Sequence, residues 1–375
     1  MTGAALMSSF AQAAPKTNAS TPPERRGLLL LTPPASTERH VRSELSVEGF
    51  VRTIEGYRDS PPVTQPAPIK IPPGHFNQLS AALRSKPSLR PYVEDKLRLD
   101  YDAISGTLLV RMPTPIHDFF SASVADEIHE KLKRIAARDD APGKFADDIR
   151  KGGSSRIILQ EEDAKPVSQR HPDGQFQHRR AAYPGVVLEV SYSQDGKDLK
   201  KLAWQYIQLS NGDIKAVIGI DVNNAPNPST VSLWRPNYVR DAGEDVLDVK
   251  QEVNSQPFQS SSGAPMNPTQ ELRLVLSDFA TDELCDGLEA AELHITYARL
   301  AELLVQAQEM QTAREHVKDG GVRSSRKNKR RLPSSSPDRL LSEDETQFRF
   351  DEERAAEEAT AADDDFRLPS KKKRS

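Results

Sequence analysis

The sequence predicts an α/β (α+β) body, a mixed sheet flanked by helices, set between two segments that lack the material to pack. Three observations carry this. Between about residues 75 and 281, stretches that alternate every second residue are interleaved with stretches whose apolar residues recur at three and four. Gly185-Val186-Val187-Leu188-Glu189-Val190 is a near-continuous apolar run, as a strand needs when both of its faces are covered. Outside these bounds proline pairs dominate the front and like-charge blocks the back.

Composition agrees. Of 375 residues only 36% are hydrophobic and 28 are proline, too little apolar material for a chain folded throughout. The 51 Lys plus Arg against 55 Asp plus Glu exclude a uniformly basic nucleic-acid coat but leave room for local patches. Cys285 stands alone, so neither an intrachain disulfide nor a thiolate zinc cage is available, and a reducing compartment is expected. No stretch approaches the roughly 18 apolar residues of a spanning helix, so no membrane partner is expected. The opening residues lack the basic start and hydrophobic run of a signal peptide.

Residues 1–74 carry the pairs Pro22-Pro23, Pro33-Pro34, Pro61-Pro62 and Pro72-Pro73, which resist helix and central strand alike, and the segment is expected to be mostly disordered. The exception is Glu44 to Tyr57, where Leu45, Val47, Phe50, Val51 and Ile54 fit a short amphipathic helix docked on the body. Phe76, Leu79, Ala82 and Leu83 then recur at helical spacing, with a second fragment at Tyr92 to Leu97. Leu97 to Asp102 alternates as a strand, Ser105-Gly106 turns, and Thr107 to Met112 returns, which makes a hairpin. Helix follows over Asp118 to Ala136, strand over Ser155 to Gln160, strand again at 185–190, and helix over Lys197 to Ser210. Strands are read at Ile214 to Val222, Val231 to Tyr238 and, after a Ser/Pro/Gln-rich link at 254–269, at Glu271 to Leu276.

Residues 282–318 carry Leu284, Leu288, Leu293, Tyr297, Leu300, Leu303 and Leu304 as an apolar stripe. This predicts a long helix or a broken pair, docked on the body or on another chain as a coiled coil. Residues 319–375 segregate into the basic block Arg326 to Arg331, an acidic run over 343–365 and the basic block Lys371 to Arg374, so this tail is expected to be disordered. Basic clusters of this kind serve as nuclear import signals or as nucleic-acid contacts, which makes the nucleus the expected location and the cytoplasm the runner-up.

Candidate chemistry lies in the middle. Asp173 sits in a turn, Glu189 ends the buried-type strand, and Lys197, Lys200 and Lys201 open the next helix. Two carboxylates at one end of a sheet repel, and a hard divalent cation relieves that repulsion by taking oxygens from both. Beside a phosphodiester such a cation activates water and offsets charge, and a nearby lysine stabilises the developing anion. Each residue has a plainer reading: Glu189 as a strand-end carboxylate in water, Asp173 as ordinary Asp-Gly turn chemistry, Asp102 as a hairpin cap, the lysines as a solvated helix start, and His117 as a cap or packing residue.

Taken together, Tyr101 to Pro113 with His117, Pro172-Asp173, and Pro184 to Ser191 resemble the Uma2-like branch of the PD-(D/E)XK restriction-endonuclease-like superfamily. The resemblance spans about 180 to 200 residues, excludes both tails, and continues through Ile214 to Val222 and Leu274 to Phe279 as later strands. It implies a restriction-endonuclease-like core with Asp173 and Glu189 holding Mg2+ or Mn2+, Asp102 as the hairpin's acidic residue, and a catalytic lysine. Ser191 stands where the superfamily pattern has lysine, so the lysine comes from the following helix: Lys201, with Lys197 and Lys200 as substitutes. The spacing from Lys201 to Tyr206 is one residue off the family pattern. Two functions follow: a metal-dependent nuclease acting on DNA or RNA, or a catalytically inactive protein of the same fold that binds nucleic acid or protein. No phosphate-binding Gly-Lys loop, dinucleotide fingerprint, zincin motif or serine-hydrolase elbow is present in the sequence.

Overall fold

The structure is a computed structural model that describes residues 45–60, 62, 66–160, 167–192, 198–223, 226–241, 243–288 and 290–315. The chain divides into two compact units, Met1–Gly321 and Val322–Ser375, and all described residues belong to the first. The proline-rich segment to residue 44, Lys197, the acidic run and both basic blocks of the tail lie outside the described residues.

In chain order the elements are α1 (Val47–Asp59), β1 (Ile69–Lys70), α2 (Pro73–Ser85), α3 (Arg90–Lys96), β2 (Arg98–Asp102), β3 (Thr107–Arg111), α4 (Pro115–Ala136), α5 (Ala141–Asp147), β4 (Ile149–Lys151), β5 (Ile157–Leu159), β6 (Ser168–Arg170) and β7 (Gly174–His178). They continue as β8 (Val186–Tyr192), α6 (Leu199–Leu209), β9 (Ala216–Val222), β10 (Ser229–Asp241), β11 (Glu244–Gln259), β12 (Glu271–Val275), a 3-10 turn (Leu276–Phe279), α7 (Asp282–Cys285), β13 (Glu292–Thr296) and α8 (Tyr297–Glu315). The class is the α/β (α+β) arrangement that the alternation predicts.

Two sheets carry the body. The first has the order β1-β3-β2-β6-β5, and the second β11-β10-β9-β8-β7-β4. Within the second only β8 and β9 run parallel, and the connection between them contains α6. Antiparallel strands can be joined by a tight turn, whereas a parallel pair needs a crossover long enough to return the chain, which is why a helix intervenes here. Strand β8 is covered on both faces. Val186, Leu188 and Val190 point into a core shared with α4 and α8, while Val187 points into a second cluster with Ala203, Tyr206 and Ile207 of α6. Alternation therefore puts Glu189, two places after Val187, on the α6 side.

The body begins before residue 75. Ser46 caps α1, its Oγ accepting from the Gly49 N–H at 3.1 Å, and Phe50, Val51 and Ile54 are buried against α2, α3 and the β2–β3 hairpin. Tyr101 of β2 stacks on Phe76 of α2 with ring centroids 4.2 Å apart. Gly106 turns the hairpin at φ 59°, a left-handed value that costs glycine little. At Gly185 the limit is space: a β-carbon there would lie 2.2 Å from the Phe279 backbone, so the 3-10 turn crosses directly over the start of β8.

Three expectations are corrected. Residues 282–318 do not form one helix: α7 is a single turn, Gly287 adopts φ 70°, and Glu292–Thr296 pairs with β12 before α8 starts at Tyr297. The alternation of Leu293 and Ile295 with polar neighbours carries that strand. Leu300, Leu303, Leu304 and Ala307 of α8 face the body's own core. The supposed link at 254–269 begins inside β11, a 16-residue strand pairing with β10. Its exposure on the sheet edge leaves it without the apolar signature of a buried strand. The closing strand stops at Val275, where Asp278 Oδ2 accepts the Val275 N–H at 2.8 Å and starts the 3-10 turn.

No helix among the described residues is long and apolar enough to cross a membrane.

Candidate active site

The β2–β3 hairpin sorts its side chains by alternation. Leu99, Tyr101, Leu108 and Val110 face the α1–α2 core, which leaves Asp100, Asp102 and Arg111 on the opposite face. There the Arg111 guanidinium joins two strands and a turn: its Nε donates to Asp100 Oδ2 at 2.6 Å, its Nη1 to Asp173 Oδ1 at 3.0 Å, and its Nη2 to the His171 carbonyl. Asp100 Oδ1 also accepts the His171 N–H at 2.7 Å. The segment leading into β7 is thereby tied to the hairpin through one buried ion cluster.

Asp173 is fixed from the other side by β8. Its own N–H donates to the Leu188 carbonyl at 3.0 Å, and its Oδ2 accepts the Val190 N–H at 2.7 Å. His117, in the first turn of α4, places Nε2 at 3.1 Å from Asp173 Oδ2 and 3.2 Å from the Val190 carbonyl. Two acceptors facing one ring nitrogen require a hydrogen on it, so the Nε2–H form is assigned. Glu189 lies between Leu188 and Val190 on the strand that holds Asp173, and the Tyr206 hydroxyl of α6 donates to its Oε1 at 2.6 Å.

Asp102 belongs to an adjoining cluster. Lys201 Nζ lies 2.9 Å and Arg170 Nη2 3.9 Å from Asp102 Oδ2, and Arg170 also donates to Gln205 Oε1. The Ile104 and Ser105 N–H groups cap Asp102 Oδ1 at 3.1 and 3.2 Å. Asp102 therefore serves as hairpin cap and as partner of Lys201. Lys200 is exposed on the helix start.

Burial and charge oppose one another throughout. Burial pushes Asp100 up, yet Arg111 and the His171 side chain outweigh it and hold the carboxyl well below the usual range. Asp102 behaves alike, with Arg170 and Lys201 overcoming its desolvation. Burial pulls Arg111 down, but Asp100, Asp173 and Glu189 together keep it well above the ordinary arginine value. Tyr206 is driven well above the ordinary phenol value by burial and by Glu189, so it remains a proton donor to that carboxylate.

The geometry thus brings Asp173, His117, Arg111 and Asp100 together, holds Glu189 against Tyr206 with its charge acting on the same Arg111, and sets Asp102 with Lys201 beside them. Asp100 and Arg111 are the residues that sequence reasoning missed. Their signal is the hairpin's alternation, which puts both on the polar face with Asp102.

Among the described residues no three His, Cys, Asp or Glu side chains form a ready metal cage. Oxygen donors of the kind a hard cation takes are nevertheless present, at a point the His117 N–H fills here, so a cation would take the place of that hydrogen bond. Asp173 Oδ2 and the Val190 carbonyl converge on one point, where they receive the His117 N–H, and the Asp173 and Glu189 charges both act on Arg111. Magnesium is commonly held by one or two carboxylates completed by water and substrate phosphate, without a full protein cage. The sequence matches no family model, no curated protein and no solved structure.

Proposed function

We propose that this chain is a metal-dependent nuclease of the PD-(D/E)XK type, hydrolysing phosphodiester bonds of DNA or RNA. The observation that carries the reading is that Asp173 is hydrogen-bonded to the Leu188–Val190 stretch of one central strand, that Glu189 lies within that stretch, and that both charges act on a single buried guanidinium. Asp173, Glu189 and the Val190 carbonyl would hold Mg2+ or Mn2+. Bound there, the ion would lower the pKa of a coordinated water and offset charge on the scissile phosphate.

The chain's own groups have separable tasks. The Val190 N–H and His117 orient Asp173, and Tyr206 orients Glu189. Arg111 keeps Asp100 ionised in a buried setting, because its charge repays that desolvation, and it holds Asp173 through a second N–H. Lys201, tied to Asp102, supplies the cationic group at the neighbouring edge of the site.

A second reading has its own observation. Both oxygens of Asp173 already have partners, Arg111 on one and His117 with the Val190 N–H on the other. That arrangement suits a catalytically inactive nuclease-fold protein that binds nucleic acid or protein and keeps the cluster as structural glue. Calorimetric titration with Mn2+, alone and with an oligonucleotide, separates the two. A binding event abolished by Asp173→Asn and strengthened by the oligonucleotide supports the enzyme, and absence of any Mn2+ binding in both settings supports the inactive protein.

A further inference from the structure

A cavity of about 530 Å3 opens beside the ion cluster, walled by α2, α3, the start of β2 and the turn before β5. Its charged lining is one-sided, Arg84, Arg90, Arg98 and Arg156 against the single carboxylate of Glu94, and neutral polar groups such as Ser154 and Gln169 complete the wall. The volume lies in the range of small-ligand pockets, about 300 to 1,000 Å3. Pockets for neutral or cationic ligands have no use for four guanidinium groups, whereas planar forks of N–H donors match the oxygens of phosphate.

Each arginine arrives from a separate piece of the fold. Arg84 follows the buried Leu83 on α2, and Arg90 opens α3, where its Nε lies 3.1 Å from Glu94 one turn on. Arg156 precedes the buried Ile157, and Arg98 stands opposite Arg111 in the hairpin register. Arg84, Arg90 and Arg156 are exposed and Arg98 is half-buried, so water screens their mutual repulsion while the guanidinium groups stay open to an anion. Arg90 is the only one of the four with an ion pair among the described residues.

The cavity also reaches the candidate site. His171 lines it, and the same residue gives its N–H to Asp100 and its carbonyl to Arg111, which in turn holds Asp173. A ligand seated among the arginines therefore lies one residue away from the carboxylate cluster. We infer that this cavity binds phosphate groups and serves as the subsite for a phosphate flanking the scissile bond. The inference rests on the nuclease reading only for the owner of that phosphate. The binding chemistry is the same for a nucleic-acid backbone and for a free phosphate-bearing small molecule.

The test uses the full chain and the double variant Arg84→Glu/Arg156→Glu, neither residue belonging to the carboxylate cluster. Binding of a fluorescent twelve-nucleotide single strand and of the matching duplex is followed by anisotropy across salt concentrations, with thermal shift by inorganic phosphate and by adenosine monophosphate in parallel. The expected result is at least a ten-fold loss of oligonucleotide affinity in the variant, with a shallower salt dependence, since each lost contact removes roughly 0.7 to 0.9 from the log–log slope. Oligonucleotide binding that depends on the arginines assigns the phosphate to a nucleic acid. A thermal shift by phosphate or the mononucleotide that vanishes in the variant, without such oligonucleotide dependence, assigns it to a small molecule and still supports the site. Equal affinity and slope in wild type and a variant that unfolds at the same midpoint, with no arginine-dependent thermal shift, would overturn it. A milder pair, Arg84→Gln/Arg156→Gln, replaces the reversal if that variant fails to fold. Failure of the nuclease reading looks different: arginine-dependent binding persists with no cleavage under any metal.

Discussion

Arg111 and Asp173, 62 residues apart in sequence, meet through Nη1 and Oδ1 at 3.0 Å with both side chains under a tenth exposed. A buried pair of this kind repays its desolvation only while both members stay, and losing one strands the other without solvent. Replacing Arg111 with Met should therefore destabilise the protein by about 3–5 kcal/mol. Urea unfolding of Arg111→Met beside Arg111→Met/Asp100→Asn/Asp173→Asn measures this, and the triple variant should recover part of the loss. A single variant as stable as wild type would remove Arg111 from its assigned role.

Acid should act through the same cluster. Asp100 and Asp102 have folded pKa values depressed below the ordinary carboxyl value, so their contribution is complete above the unfolded value of about 3.9 and is lost as pH falls below it. Stability measured by urea midpoint should decline from about pH 4 downward, and Asp100→Asn should flatten that decline. An identical slope in wild type and variant would contradict the assignment.

Tyr206 donates to Glu189 at 2.6 Å in a fully buried setting. Removing that hydroxyl with Tyr206→Phe leaves a charged acceptor short of one donor and should cost about 1.5–3 kcal/mol. Denaturant unfolding reads the loss. Under the nuclease proposal the same variant should also lower kcat, because Glu189 loses its orientation.

Helix α8 is stabilised by its own domain. Leu304 is fully buried in the core it shares with α4 and β13, so Leu304→Ala should cost about 2–5 kcal/mol. The unfolding midpoint should not depend on protein concentration in either form. A midpoint that falls on dilution would mean that this helix is held by another chain, as a coiled coil would be.

Legibility followed the strength of local periodicity. The hairpin at 98–111, the helix at 115–136 and the run at 186–190 are written in alternation or in three-four spacing, and the structure has all three. Strand β11 escaped because an exposed edge strand needs no apolar face, and β13 because its five residues were absorbed into a leucine-rich stretch read at helical spacing. In the site, Asp173 and Glu189 were visible from their turn and strand end. Arg111 and Asp100 were not, because a guanidinium that bridges residues 11 and 62 positions away leaves no local mark. Asp102 and Asp100 show the same limit: both lie on one face, and only the partners across the fold, Lys201 for one and Arg111 for the other, distinguish them.

The most direct measurement is cleavage of single- and double-stranded DNA and RNA by the full chain in Mg2+ or Mn2+, with Glu189→Gln alongside. Glutamine keeps an acceptor for Tyr206 but removes the charge that would bind the ion. Wild type should cleave only with the metal and stop in EDTA, and Glu189→Gln should cleave at least a hundred-fold more slowly while its unfolding midpoint stays near that of wild type. Absence of cleavage by wild type on every substrate with either metal, or undiminished cleavage by Glu189→Gln, would contradict the nuclease reading.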